Sequence, residues 1–352
     1  MTFASNYRVA RANRSSILGG SVLGLASLIL ACLPFIVFQS TTSALVTLFV
    51  LIILASMWNL LAGFGGLVSI GQQAYIGIGA YTVIAMADLG MHPFLAVVFA
   101  AVTSALLALP TSWLAFRLRG DYFAVGTWVI AEVYRLVVTK FEALGGANGK
   151  SLHGLEGIDP VMRSALVYWF SLGVAAVTVI VCYLLLRGRV GISLTAIRDN
   201  EVAASAGGVD ATFVKRVVYL VSAAGCGLAG GILVLDALRV QPGAIFSVQW
   251  SAYMILIVVI GGIGHLEGPI VGAVLFFTMQ SMLANWGSWY LMVLGAIAIL
   301  IAVRFPQGIW GLVQTKTGIR LFPVGYRLLG GGMRPTERGT LPSPDVPADS
   351  RS

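Results

Sequence analysis

Apolar runs separated by short polar or glycine-rich breaks fill the chain from residue 17 to residue 303. Runs of this kind predict α-helices that cross a bilayer, since about 20 apolar residues rising about 1.5 Å each match its hydrocarbon core. In order they cover 17–38, 43–62, 67–87, 94–116, 122–139, 165–186, 217–238, 248–263, 269–286 and 289–303. The expected fold is an all-α polytopic membrane protein with about ten transmembrane helices. Two runs, 122–139 and 248–263, are short enough to enter the bilayer and return. Residues 1–16 form a polar leading segment, 17–304 the membrane domain, and 305–352 a tail whose composition leaves it largely disordered.

Glycine interrupts the pattern twice: at Gly63, Gly65, Gly66, Gly71, Gly77 and Gly79, and again at Gly261, Gly262, Gly264, Gly268 and Gly272. Paired interruptions in the two halves of a chain point to inverted repeats with broken helices beside a transport route. They also point to close helix packing, the preferred reading for any single glycine, because Gly20/Gly24, Gly227/Gly231 and Gly264/Gly268/Gly272 have small-xxx-small spacing. The first stretch also carries Ser69, Gln72, Gln73 and Tyr75. Glutamines facing lipid are costly, so these four are expected on protein or on a water-filled route, with the route preferred. Glu132 and Arg135 lie three apart on one helical face, where they neutralise each other or line the route for a zwitterionic solute.

One long polar segment, 187–216, separates two apolar blocks and carries Arg187, Arg189, Arg198, Lys215 and Arg216. Basic residues collect on the cytoplasmic side, so this loop is expected to face the cell interior. A helix is predicted over 193–206, with Leu194, Ile197 and Val202 near one face and Arg198, Asp199 and Glu201 on another. Gly207 and Gly208 stop it, and Asp210 caps the helix that follows. Such a helix, held against the membrane, is shaped to dock on a partner, and Arg198, Asp199, Asn200 and Glu201 are the expected contacts.

Composition confirms the class: 58% of residues are AVILMFWYC and only 10% are charged, against about 25% charged in soluble proteins. The net charge of +8 is not a nucleic-acid patch. It marks topology instead, since 17 Lys and Arg fall in the segments expected inside and four in those expected outside. Ten spans put both termini in the cytoplasm.

No enzyme chemistry suggests itself. Cys32, Cys182 and Cys226 lie in apolar runs without metal-ligand spacing. His265 and Glu267 flank an expected turn with no second histidine at ligand spacing, so no metal site is assigned. The run GGANGKSLHG ends like a phosphate-binding loop but lacks its first glycine, Leu144 standing there, and lies in an outer loop. No ATPase site is expected in this chain.

The run IRDNEVAASAGGVD at 197–210 resembles the cytoplasmic signature loop of ABC-importer permeases, with Glu201, Ala203, Ala204 and Gly207 or Gly208 at the signature positions. Three further stretches, GFGGLVSIGQQAYIGIGAYT, RLRGDYFAV and GGIGHLEGPIVGAVL, follow in the order seen in LivM-type permeases of branched-chain amino acid transport. The resemblance covers roughly residues 42–312. It implies an inner-membrane permease for branched-chain amino acids or close relatives. Arg198, Asp199, Asn200, Glu201, Ala204 and Gly207 would then form the ATPase-coupling loop. The implied partners are a LivH-type second permease, two ATP-binding subunits of the LivG and LivF types, an extracytoplasmic binding protein, and lipid, with ATP used by the partners. Permeases for urea, amides or aromatic acids look similar. An ion-coupled secondary transporter would share the broken helices, but the docking loop argues against it.

Overall fold

The computed structural model describes residues 7–10, 24, 30–31, 33–35, 39–283, 289–305, 307–317 and 327–330. The apolar runs become helices and the glycine and polar breaks become their ends. Helix α1 (Gln39–Asn59) continues through a π-helical turn at Leu60–Phe64. α2 (Gln73–Asp88), α3 (Pro93–Ala115) and α4 (Asp121–Lys140) follow. The proline that opens α3 stands where its missing N–H costs nothing. α5 (Pro160–Arg187) is capped by the Asp159 carboxylate, which accepts from the backbone of Val161 and Met162. α6 (Arg189–Asp199) and α7 (Glu201–Ala206) build the long polar loop. α8 (Ala211–Ala237) starts where the Asp210 carboxylate accepts from Phe213 N. α9 (Pro242–Ile245), α10 (Gln249–Gly261), α11 (Gly268–Leu283), α12 (Trp289–Arg304) and α13 (Gly308–Thr317) complete the helices. Two antiparallel ribbons pair β1 (Tyr7–Ala10) with β4 (Arg327–Gly330), and β2 (Lys150–Ser151) with β3 (Arg239–Val240).

The all-α polytopic class stands, and the described residues do not confirm the count of ten. Among the described residues, seven helices are long and apolar enough to cross a membrane, while Gly268–Leu283 is apolar but shorter. The expected first span, 17–38, lies outside the described residues apart from Gly24 and the pieces at 30–31 and 33–35. Leu30 O and Ala31 O in those pieces accept from Tyr168 OH and Trp169 Nε1. The short run at 248–263 gains α9 and extends over Pro242–Gly261. Within 305–352, Gly308–Thr317 is the helix α13; of 318–352, only β4 is described.

Packing follows residue size. In their most apolar stretches, 72% of α1 and 67% of α8 is buried, against 17% of α4. α8 lies at the centre because its glycines admit other backbones. A Cβ on Gly230 would come within 1.9 Å of Ile76 O, and one on Gly79 within 2.2 Å of Gly227 O. Without water to drive helices together, such close approach supplies the association energy. The second glycine stretch is a tight hairpin, α10–α11: Gly261 faces Gly268 O, and Gly272 faces Ile257 O.

Loops gather in two groups. At one end of the bundle, Arg198 reaches Gly63, Asn59 reaches the α10–α11 turn, and Gly308 lies on Gly262. At the other, Lys150 Nζ bonds Asp88 at 2.7 Å and β2 pairs β3. The 27 residues of α8, about 40 Å of helix, join the groups. The groups match the segments expected inside and outside. Lys150, the lysine of the phosphate-loop-like run, is engaged by Asp88.

Candidate functional site

The third expected crossing, 67–87, is helical only from Gln73. Its first residues are irregular backbone inside the bundle, where an unpaired polar group costs several kcal/mol. Three helices satisfy it. Trp58 Nε1 of α1 donates to Ser69 O at 2.8 Å, and Ile70 N donates to Thr127 Oγ1 of α4 at 3.3 Å. The Ser251 hydroxyl of α10 is within bonding distance of Ile70 O, at 2.7 Å, and of Gln73 Oε1. The Ser69 hydroxyl accepts from Gly71 N.

The predicted route residues of this stretch all lie in the seam. Ser69, Gln72, Gln73 and Tyr75 are buried. Gln72 Oε1 accepts from Ser222 Oγ at 3.4 Å and Cys226 Sγ at 3.5 Å, both on α8. Tyr75 OH bonds Tyr219 OH at 3.0 Å. The preferred reading placed these side chains on a water-filled route. In the structure Gln72, Gln73 and Tyr75 bond side chains of α8 and α10, while the Ser69 hydroxyl stays within its own segment. Gln72 Nε2 is buried with no hydrogen-bond partner among the described residues. Glu132 and Arg135 do not join the seam. They bond each other on a partly exposed face of α4, Glu132 about 140° and Arg135 about 80° round the helix from Thr127.

A cavity of about 470 Å³ opens elsewhere, between α1, the α9–α10 segment and α11. Thr47, Leu51, Ser247, Gln249, Tyr253 and Gln280 line it, a neutral set of hydroxyls, amides and apolar groups. None of the predicted route residues does.

The polar loop differs from the single helix expected. Asn200 is extended and its side chain accepts from Ala203 N at 3.0 Å, so one helix ends and another is capped there. Leu194 and Ile197 pack inward as expected, with Leu194 on Gly65. Val202 does not join them: the break turns it outward, 80% exposed. Beside it Ala203 and Ala206 are also exposed.

Most expected contact residues are engaged within the chain. Arg198 NH1 donates to Gly63 O at 2.6 Å, Glu201 pairs with Lys215 at 2.7 Å, Ala204 is buried, and Gly207 N bonds Ala203 O. Asp199 is the most open of the charged ones, its carboxylate 3.6 Å from Arg198 Nε. The apolar patch centred on Val202 is what sequence reasoning missed. Asn200 was the signal: a strong N-cap residue inside a predicted helix marks a second start.

Comparison with known proteins agrees with this architecture. Residues 40–302 match the family described as branched-chain amino acid transport system / permease component. The high-affinity branched-chain amino acid transport system permease protein LivM of Escherichia coli is 29% identical over 82% of this chain and 73% of its own length. The protein of the same name from Salmonella typhimurium is 28% identical over the same shares. The ribose import permease protein RbsC of Bacillus subtilis is 28% identical over 49% of this chain and 58% of its own. No solved structure matches. With a family match across most of its helices, this multi-pass membrane protein belongs to the branched-chain amino acid transport system permease family.

Proposed function

We propose that this chain is the LivM-type permease of an ATP-driven importer that brings branched-chain amino acids into the bacterial cell. It works with a LivH-type permease, two ATP-binding subunits of the LivG and LivF types, and an extracytoplasmic binding protein that selects the cargo. Both termini face the cytoplasm, on the side where the basic residues gather.

The observation that carries this reading is the α6–α7 loop. An exposed valine outside the apolar bundle stands on a one-and-a-half-turn helix that is held in place by a capping asparagine and the Glu201–Lys215 pair. An apolar knob on a rigid base is suited to a groove on an ATP-binding subunit, while Asp199 at its edge sets orientation. ATP hydrolysis in the partners then moves the loop, and the permease alternates between its two openings. The neutral cavity beside α9–α10 fits the outer approach of a solute without net charge, and Gln72 is the group that such a solute or its water meets in the seam.

The test is co-purification from detergent extract. The native chain is expected to bring a second permease and both ATP-binding subunits, and Val202→Asp to bring the permease without the ATP-binding subunits. Native recovery of those subunits with the Val202→Asp chain would remove the loop from the docking surface.

A further inference from the structure

We infer that Arg198 is a strut that transmits movement of the loop to the broken crossing. It acts inside this chain and not as a contact with a partner; the inference rests on the docking role proposed for the loop. α6 lies across the glycines that follow the π-helical turn of α1: a Cβ on Gly65 would meet Leu194 at 3.2 Å, and one on Gly66 would meet Arg198 Cγ at 3.3 Å. From there the guanidinium reaches Gly63 O at 2.6 Å, a charge-assisted bond to a carbonyl of the π-helical turn. The same guanidinium lies 3.3 Å from the Cβ position of Gly264, at the α10–α11 turn. The two glycine stretches, about 200 residues apart in the chain, therefore meet at the tip of one arginine.

What lies beyond that tip is what a transport step has to move. Asn59, one turn before Gly63, clamps the hairpin turn from both sides: its Nδ2 donates to His265 O at 2.8 Å and its Oδ1 accepts from Gly264 N at 2.9 Å. Its neighbour Trp58 holds Ser69 O of the irregular segment, and Met57 O accepts from Ser222 of α8. The last turn of α1 thus grips three other elements, and Arg198 grips that turn. Arginine suits the task, because its planar fork is pre-organised, remains charged, and spans a gap that a shorter donor does not.

Transport and ATP hydrolysis measured together in reconstituted four-subunit complexes, with leucine and binding protein supplied, test the strut. Arg198→Met keeps the aliphatic packing over Gly66 and removes the donor. It is expected to retain the ATP-binding subunits and hydrolyse ATP near the native rate, while leucine moved per ATP falls about tenfold. Arg198→Lys, with its charge on a shorter reach, is expected to show a smaller fall and decides the matter should the methionine variant not fold. A native ratio of transport to hydrolysis in either variant overturns the proposal. So does loss of the ATP-binding subunits from either, which would make Arg198 a docking contact. Val202→Asp separates the two readings: if it keeps its ATP-binding subunits, the docking role has failed independently of the strut.

Discussion

A buried amide with an unused N–H₂ costs about 1–3 kcal/mol, and Gln72 carries one in the middle of the bundle. Replacing it removes that cost, so Gln72→Leu is expected to hold or raise the thermal midpoint of the detergent-solubilised protein. If the amide serves the route, leucine uptake falls severalfold in the same variant. Unchanged uptake would leave Gln72 as a packing residue only. Glycine gives a second contrast at this scale. In Gly272→Ala the new methyl would lie 2.0 Å from Ile257 O, a backbone atom that cannot turn aside, and a loss of about 1–3 kcal/mol is expected. Gly173, within α5, has nothing within 4 Å of its Cβ position, and Gly173→Ala is expected to stabilise by up to about 1 kcal/mol. Unfolding midpoints of the two variants check both signs.

Elements are held by specific bonds at their ends, and the loop helices show this best. Asn200→Ala removes the cap of α7, worth about 0.5–2 kcal/mol, a large share for a helix of six residues. α7 is expected to fray and Val202 to lose its fixed position. Affinity for the ATP-binding subunits should fall at least several-fold while the membrane helices keep their midpoint; Asn200→Asp, which can cap equally well, should restore binding. The irregular segment before α2 depends similarly on its neighbours. Trp58→Phe keeps the ring but deletes the donor to Ser69 O, leaving a buried carbonyl with one partner fewer. A destabilisation of about 1–3 kcal/mol is expected from thermal unfolding.

At the scale of the whole molecule, the two groups of loops define two faces, and the proposed orientation puts the more basic one in the cytoplasm. In a background without native cysteines, a membrane-impermeant maleimide should label Glu156→Cys in intact cells, its carboxylate side chain being 80% exposed. Ser205→Cys, exposed on α7, should label only after the membrane is opened. The reverse pattern would invert the chain and put α7 where no ATP-binding subunit can reach it.

Membrane location, helical class, most helix positions and the grouping of loops follow from the sequence alone, because in lipid the backbone must satisfy itself and long apolar runs have little choice but helix. Asp210 as a cap was legible for a like reason, since capping is local. The family was legible in the motifs at 63–82, 197–210 and 261–275. Tertiary structure decided what local chemistry leaves open. Sequence could not show that Gly63 and Gly264 touch, that Arg198 turns inward, or that the glutamines bridge helices, since each depends on residues more than 100 positions away. The outward turn of Val202 is intermediate: its cause, Asn200, is local, but its exposure depends on where α6 lies against the end of α1.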